Sequence, residues 1–377
     1  MEGNILKKIW AMFPIPHKLY QVEPHSIPPM DAGLLPNDAL DRFHVVTSSL
    51  TEIDDIAFDP RGYFYVSSGN KVFRCQVGNE KDLTVLAEFD GPAGGMNFSP
   101  NGMLMVCVAG RGVAFVDEYG ALAGAVDMAD KLPIRCALSA AAGPDGSVYI
   151  AEGTIYHEPT DWYVDLMERR QAGRLIHCNP DTFETEVLLS GLSYPYGVAI
   201  SRDGKWLLIN ESWKHTLSRF PLDDIRENRR EVVIPNLPGY PGRISYSSDG
   251  GYWMCIFAMR TYLVDFVLTE EKYRREMMRR VDPAYWVRPA LSSGEDFLEP
   301  LQAAHAITLG ILKPWAPPRS YGLVLKMDED FEITNSFHCR TGGKRHGITG
   351  VAEKKGELYV VSKGNNMVLR SGEEELQ

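Results

Sequence analysis

The sequence has a deficit of positive charge and no long apolar run, and each absence excludes a class of protein. Its 377 residues include 39 lysines and arginines against 50 aspartates and glutamates, which gives a formal charge of −11. Nucleic-acid binding needs a basic face for the phosphates, so we expect no nucleic-acid partner. No apolar run reaches the roughly 18 residues that indicate a membrane-spanning helix.

Paired cysteines and familiar catalytic motifs are also absent. The six cysteines are widely spaced and include no CxxC pair, which predicts buried free thiols and a cytoplasmic location. There is no Gly-rich phosphate loop, HExxH, GxSxG or Cys-His constellation. The function must therefore be inferred from the fold pattern and from the residues that the fold brings together.

Residues 1–30 are predicted to be an N-terminal extension. Residues 5–13 place apolar side chains at helical spacing around two lysines, without the continuous apolar core or cleavage site of a secretory signal. Two interpretations remain open: a short amphipathic helix docked on its own domain, or one that touches a membrane surface. We expect the first.

The rest of the chain contains an internal repeat of two apolar strands joined by a glycine turn. Glycine supplies the positive φ that such tight hairpins need. Four of the five intervals between the turn glycines are about 40–60 residues, a period typical of propeller blades. We therefore predict an all-β, six-bladed β-propeller as a single domain over residues 31–377. The turn pairs are Arg61-Gly62, Asn101-Gly102, Asp145-Gly146, Asp203-Gly204, Asp249-Gly250 and Lys355-Gly356.

Two insertions interrupt this rhythm, at about 157–173 and 269–318. The first has helical spacing and a glycine stop, and both halves of the second also look helical. Helices inserted between propeller strands must lie on a face of the propeller, where they can cap the central channel. We therefore expect helical caps that form part of a pocket wall.

The channel residues should lie at the start of each blade's innermost strand, because these strands line the axis. Glu211 is expected to join them from the end of a neighbouring strand. The predicted channel positions are Asp54, Gly94, Leu138–Ser139, Tyr196, Gly242–Arg243 and Thr349.

Three stretches of the sequence resemble strictosidine synthase-like proteins. They begin "TDWYVDLMERRQAGRLIHCNP" at Thr160, "LPGYPGRISYSSDGGYWMCI" at Leu237 and "RSYGLVLKMDEDFEITNSFHC" at Arg319, and the resemblance runs from about Asp54 to Arg370. It implies a six-bladed propeller in a clan that includes the gluconolactonase and paraoxonase lactonases. Many clan members hold a divalent metal ion, usually calcium, in the channel.

The resemblance also allows the metal site to be checked position by position. Asp54 keeps an acid and Glu211 occupies an acidic position, but family ligand positions fall on Leu138, Tyr196 and Gly242–Arg243. Calcium prefers six or more oxygen ligands, so we expect no cofactor, with calcium as the alternative. Arg243 either brings its charge to the vacated metal position and pairs with Asp54 or Glu211, or it lies outside the channel in a surface ion pair.

A further family position concerns the glutamate base of plant strictosidine synthases, which falls on Thr349. Threonine cannot act as that base, so we do not expect strictosidine formation itself. Weaker candidates have two interpretations each. His346 is either an acid–base group at the channel mouth or a surface histidine. Glu152 is either a carboxylate in the channel or a solvated one. Tyr156 and His157 either line the pocket or pack against a helix.

The sequence therefore predicts a metal-independent enzyme that acts on a small molecule by cyclisation, condensation or a lyase-type step. Asp54 or Glu211 would be the acid or base, Tyr196 a hydrogen-bond donor and Arg243 the stabiliser of negative charge. Leu138, Ser139 and Thr349 would contact the substrate. A lactonase- or esterase-type hydrolase and a non-catalytic ligand-binding propeller are the alternatives.

Overall fold

The computed structural model describes residues 26–293 and 320–372, together with the backbone of a strand pair at 305–308 and 311–314. Residues 5–13, for which an amphipathic helix is predicted, lie outside the described residues. The described chain folds into six four-stranded antiparallel sheets, which confirms the predicted six-bladed propeller.

The first helix and strand precede blade I, and blades I to III follow in sequence order. Helix α1 is Ala39–Arg42 and strand β1 is His44–Thr47. Blade I consists of β2 (Ile53–Phe58), β3 (Tyr63–Ser68), β4 (Lys71–Gln76) and β5 (Thr84–Glu88). Blade II consists of β6 (Ala93–Phe98), β7 (Leu104–Val108), β8 (Gly112–Val116) and β9 (Leu122–Val126). A small ladder of β10 (Met128–Ala129) and β11 (Leu132–Pro133) leads to blade III, which consists of β12 (Ala137–Ala142), β13 (Val148–Glu152), β14 (Gly173–Cys178) and β15 (Thr185–Leu192).

Blades IV to VI complete the ring, and blade VI takes its outermost strand from β1. Blade IV consists of β16 (Pro195–Ile200), β17 (Trp206–Glu211), β18 (Thr216–Pro221) and β19 (Glu231–Ile234). Blade V consists of β20 (Gly239–Tyr246), β21 (Tyr252–Met259), β24 (Gly322–Met327) and β25 (Ile333–Cys339), with the separate pair β22 (His305–Thr308) and β23 (Ile311–Pro314) inserted between β21 and β24. Blade VI consists of β26 (Ile348–Lys354), β27 (Glu357–Ser362), β28 (Met367–Arg370) and β1.

Burial follows the position of a strand in its blade. Every residue of the inner strand β16 is buried, whereas the outermost strand β19 is exposed at its first two positions. Strand β16 packs against the inner strands of both neighbouring blades, β12 and β20, and therefore reads as a continuous apolar run. The glycine of all six predicted turn pairs has a positive φ, between 68° and 107°, as the hairpin prediction requires.

The insertions contain both helices and strands. Helix α2 (Trp162–Glu168) lies in the first, and helices α3 (Tyr262–Thr269) and α4 (Glu271–Arg280) follow β21. The second half of the larger insertion is predicted to be helical, and this is wrong for β22 and β23, which form a hairpin. The β-branched residues Ile307, Thr308 and Ile311 favour strands over a helix.

Two further features of the described chain bear on its class. All six cysteines are buried and free, as the spacing predicts. Within residues 26–293 and 320–372, we find no helix with the length and apolar character needed to cross a bilayer.

Candidate functional site

The six inner strands have a break in register near the same end. In β2 the register shifts between Ile53 and Asp55, and in β20 it shifts between Pro241 and Ile244. The other four inner strands shift at the corresponding residues, which include Gly94, Leu138, Tyr196 and Thr349. A β-bulge bends its strand and re-aims a side chain. The bulges thus mark the positions that the repeat predicts for the channel.

The Arg243 side chain lies in the channel and joins blade V to three others. Its Nε donates to the Leu138 carbonyl oxygen at 3.1 Å, and its Nη1 donates to the carbonyl oxygens of Asp54 and Thr349 at 3.1 and 3.0 Å. Its Nη2 donates to Asp54 Oδ1 at 2.5 Å. Of the five N–H groups of a guanidinium, one on Nη2 has no partner among the described residues.

Asp54 lies between two cations. One carboxylate oxygen accepts from Arg243 and the other accepts from the Lys363 ammonium group. Burial alone would raise the pKa of Asp54, but the positive charges of Arg243 and Lys363 outweigh it and hold this pKa well below its usual range. Asp54 is therefore an ionised anchor for both cations and a weak base, which disagrees with the predicted acid–base role.

Asp55, which the sequence does not single out, lies next to the Asp54–Arg243 pair. Its Oδ2 accepts from the Met96 backbone N–H at 2.9 Å and lies 3.4 Å from Arg243 Nε. Burial raises the pKa of Asp55 to about 6, against the opposing effect of the Arg243 charge. Near the axis, two cations thus lie beside one carboxylate whose pKa is lowered and one whose pKa is raised to about 6.

A cavity of about 500 Å³ lies next to Asp54 and Arg243. Asp54, Arg243 and Lys363 form its polar end, and an aromatic wall formed by Trp162, Tyr194, Tyr196 and Phe257 lines another side. The insertions also contribute, through residues 159, 160 and 162 from the first and 291 and 292 from the second. Its size and mixed lining suit a small organic ligand.

Tyr196 connects the polar end to the aromatic wall. Its ring lies 5.2 Å from the Arg243 guanidinium carbon and 5.3 Å from the Phe257 ring. Burial raises the pKa of its phenol far above the usual value, so the hydroxyl stays protonated. That hydroxyl has no hydrogen-bond partner among the described residues, which leaves it available to a ligand.

Of the other predicted site residues, Leu138 and Thr349 line the cavity but Ser139 does not. The Leu138 side chain is apolar, and its carbonyl holds Arg243. Thr349 Oγ1 donates to the Asp54 carbonyl oxygen at 2.6 Å. Ser139 Oγ instead accepts from the Val198 backbone N–H at 3.4 Å, so it joins blades III and IV.

Two predicted carboxylates lie elsewhere. Glu211 is buried outside the cavity, where it pairs with Arg230 and Lys214 and accepts from the Ser193 N–H. Burial would raise the pKa of Glu211, but the Arg230 and Lys214 charges lower it. Glu152 is neither a channel nor a solvated carboxylate: it is fully buried and pairs with Arg174 at 2.6 Å. Both carboxylates are thus held by cationic side chains outside the cavity lining.

The predicted histidines and Tyr156 also lie away from the cavity lining. His346 is buried, with Nδ1 2.7 Å from Ser320 Oγ and Nε2 3.0 Å from the Arg340 carbonyl oxygen, so neither prediction for it is right. His157 Nε2 lies 2.8 Å from the Glu168 carboxylate of α2. The exposed Tyr156 ring contacts Arg170. His157 and Tyr156 therefore support the inserted helix.

The residues around the axis do not fit a calcium ion. Four oxygens converge there and are bound by the Arg243 guanidinium: the carbonyl oxygens of Leu138, Asp54 and Thr349, and Oδ1 of Asp54. In the parts of the chain described, no cluster of three or more His, Cys, Asp or Glu side chains could hold a metal. Calcium needs six or more oxygen ligands, including carboxylates, and a fixed cation at the same place repels it.

Comparison with known sequences identifies relatives. Residues 141–224 match the family described as strictosidine synthase. Strictosidine synthase-like protein 3 of Arabidopsis thaliana is 25% identical over 326 residues, which are 74% of this chain and 82% of the relative. The adipocyte plasma membrane-associated protein of Bos taurus is 27% identical over 288 residues, 71% of this chain and 60% of the relative.

Comparison with solved structures identifies the fold. A gluconolactonase from Xanthomonas campestris superposes with a TM-score of 0.56 at 11% identity, over 86% of this chain and 87% of that one. A calcium-binding regucalcin from Agrobacterium tumefaciens gives a TM-score of 0.55 at 13% identity, over 88% and 93% of the two chains. These matches confirm the predicted resemblance: the chain is similar to strictosidine synthase-like proteins and has the six-bladed propeller fold of the gluconolactonase-type structures.

Proposed function

We propose that this protein is a metal-independent enzyme that acts on a small organic carbonyl compound in the capped central cavity. The observation that carries this proposal is the Arg243 guanidinium, held on the axis by four hydrogen bonds with one N–H left over. A rigid, buried donor of this kind stabilises negative charge that develops on a substrate oxygen. Arg243 thereby supplies the electrostatic role that a metal ion has in other propellers.

Two neighbouring groups complete this chemistry. The protonated Tyr196 hydroxyl can donate a second hydrogen bond to the same oxygen. Lys363, at the cavity surface and paired with Asp54, adds a second positive charge at the polar end of the cavity. These roles suit a cyclisation, condensation or lyase-type step, in which negative charge develops on a carbonyl oxygen.

Hydrolysis of a lactone or ester is the less favoured reaction. It requires an activated water. The described lining contains no histidine to serve as its base, and its two carboxylates are Asp54 and the exposed Glu52. Asp54 is unsuited to that role because its pKa lies far below the usual range.

The first test measures turnover of carbonyl probes by the full chain, with EDTA and with added calcium. Suitable probes are an aryl lactone, an arylethylamine with an aldehyde, and an aryl β-hydroxy ketone. We expect turnover that EDTA does not change, and a decrease in kcat/KM of roughly 100-fold or more for Arg243→Met. Tyr196→Phe, which removes only the hydroxyl, should lower kcat by about 10-fold.

Arg174→Met is the matched control, because Arg174 is also a buried arginine paired with a carboxylate but lies outside the cavity. Its kcat/KM should stay near that of the unmodified chain. Lactone hydrolysis abolished by EDTA would contradict the proposal. Binding of the probes without any turnover would favour a ligand-binding propeller.

A further inference from the structure

Lys363 provides a second cation at the polar end of the cavity. It is the first residue of the 3-10 helix Lys363–Asn365, directly after β27, and its side chain is 35% exposed. One of its three N–H groups is used by Asp54 Oδ2, and the other two have no partner within the described chain. Its ammonium group therefore has spare donors at the cavity surface.

Around Arg243, the polar end of the cavity offers donors and almost no spare acceptors; the other carboxylate of the lining, Glu52, belongs to an exposed residue. Both Asp54 carboxylate oxygens are engaged, by Arg243 and by Lys363. The carbonyl oxygens of Leu138, Asp54 and Thr349 are engaged by Arg243. Of Asp54, Arg243, Lys363 and Tyr196, the groups without a complete set of partners among the described residues are N–H groups of Arg243 and Lys363 and the Tyr196 hydroxyl. A ligand must accept hydrogen bonds from these donors with its oxygen atoms, and an amine would leave the donors unpaired.

The two cations lie at the same end of the cavity, because they bind the two oxygens of one carboxylate. A single carbonyl oxygen satisfies the Arg243 and Tyr196 donors but leaves the ammonium donors of Lys363 unused. A carboxylate next to that carbonyl satisfies them through a charge-assisted hydrogen bond. The aromatic wall of Trp162, Tyr194, Tyr196 and Phe257 then receives an apolar body.

Resting on the proposed function, we propose that the substrate is an oxo acid with an apolar, ring-containing body, and that Lys363 binds its carboxylate. Arg243 and Tyr196 bind the neighbouring carbonyl oxygen, and the ring lies against the aromatic wall. Lys363 is thus the residue that selects acids over amines.

The experiment measures binding by calorimetry with the full chain and three probes: 4-phenyl-2-oxobutanoate, its methyl ester and 4-phenylbutylamine. We expect the acid to bind at least 10-fold more tightly than the ester or the amine. Lys363→Met should weaken binding of the acid at least 10-fold and leave binding of the ester within 2-fold. Lys363→Arg, which keeps the charge, should restore most of the affinity for the acid.

Lys214→Met is the matched control. Lys214 occupies the corresponding 3-10 helix of blade IV, is 39% exposed and also pairs with a buried carboxylate, Glu211. Its substitution should not change the affinity for the acid. The proposal is overturned if the amine binds as tightly as the acid, if Lys363→Met has no effect, or if the acid does not bind at millimolar concentration. Selective acid binding without EDTA-resistant turnover would overturn the proposed reaction alone.

Discussion

At the scale of single residues, the channel depends on one buried arginine that four blades share. Arg243 belongs to blade V and contacts backbone carbonyls of blades I, III and VI. A buried cation is costly unless its partners are complete, and removing one member of such a pair costs roughly 3–5 kcal/mol. The same network therefore holds the blades in place and orients the donors for a ligand.

Asp55 makes this network sensitive to pH. Burial raises its pKa to about 6, from 3.8 for an ordinary aspartate, while Arg243 opposes the rise. Between these two values the folded protein keeps a proton that the unfolded chain has lost, so stability falls as the pH rises from about 4 to 6. An asparagine side chain at this position has no such proton. We therefore predict that the unfolding free energy of the unmodified chain, relative to Asp55→Asn, falls by about 2–3 kcal/mol from pH 4 to pH 7.

Urea unfolding of both proteins at a series of pH values checks this prediction. Titrating groups that do not interact with Asp55 affect both chains alike and cancel in the difference. A difference that does not vary with pH would show that the Asp55 carboxylate is ionised throughout this range.

The sequence predicted only part of this residue-level network. Asp54, Tyr196, Arg243 and Thr349 could be found because the repeat aligns the starts of the inner strands. Lys363 follows the second strand of blade VI, and its contact with Asp54 depends on ring closure, which the repeat alone does not specify. Glu211 was misplaced because the sequence does not show that Arg230 and Lys214 hold it away from the axis.

At the scale of elements, the bulged start of each inner strand positions the site. The bulge in β6 lies at Gly94 and Gly95, two adjacent glycines with different surroundings. A Cβ at Gly94 would have only ordinary contacts, with Asp54 Oδ1 at 3.5 Å and Arg243 Nη2 at 3.6 Å. A Cβ at Gly95 would collide with the Leu138 carbonyl oxygen and lie 2.8 Å from Arg243 Nε. Blade II thus approaches blade III closely enough to require glycine at one position.

This difference gives a matched pair of variants. We predict that Gly95→Ala lowers the unfolding free energy by about 1–3 kcal/mol, because the new methyl group pushes the Leu138 carbonyl away from Arg243. Gly94→Ala should change it by less than about 1 kcal/mol. Thermal and urea unfolding of the two proteins provide the comparison. Equal effects of the two substitutions would contradict the close packing of β6 against Leu138.

The strands and turns were more predictable from sequence than the insertions. The six hairpins carry their own signal, a glycine of positive φ between two apolar runs. The larger insertion has no repeat to fix its register, and there the structure has a hairpin, β22 with β23, where a helix is predicted. Helical spacing over a short apolar segment does not distinguish a helix from a strand when β-branched residues are present.

At the scale of the whole molecule, the propeller is a closed ring. The inner strands contact one another in the cyclic order β2, β6, β12, β16, β20, β26 and back to β2. Blade VI joins the two ends of the described chain, because its outer strand β1 pairs with β28. Leu40 of helix α1, and Phe43 between α1 and β1, pack into the core shared by blades V and VI. The site at the axis draws residues from several blades, so it depends on this closure.

Leu40 offers a test of how strongly closure stabilises the ring. Leu40 is 0% exposed in that core, whereas Leu35, five residues earlier, is 65% exposed. Truncating a buried leucine to alanine leaves a cavity and costs about 2–5 kcal/mol. We predict a loss of this size in unfolding free energy for Leu40→Ala, and a change within about 0.5 kcal/mol for Leu35→Ala. Urea unfolding followed by both tryptophan fluorescence and far-ultraviolet circular dichroism measures it. Because a closed ring should unfold as a unit, the fluorescence and circular dichroism signals should change together. Separate transitions in Leu40→Ala would show that blade VI opens while the other blades stay folded.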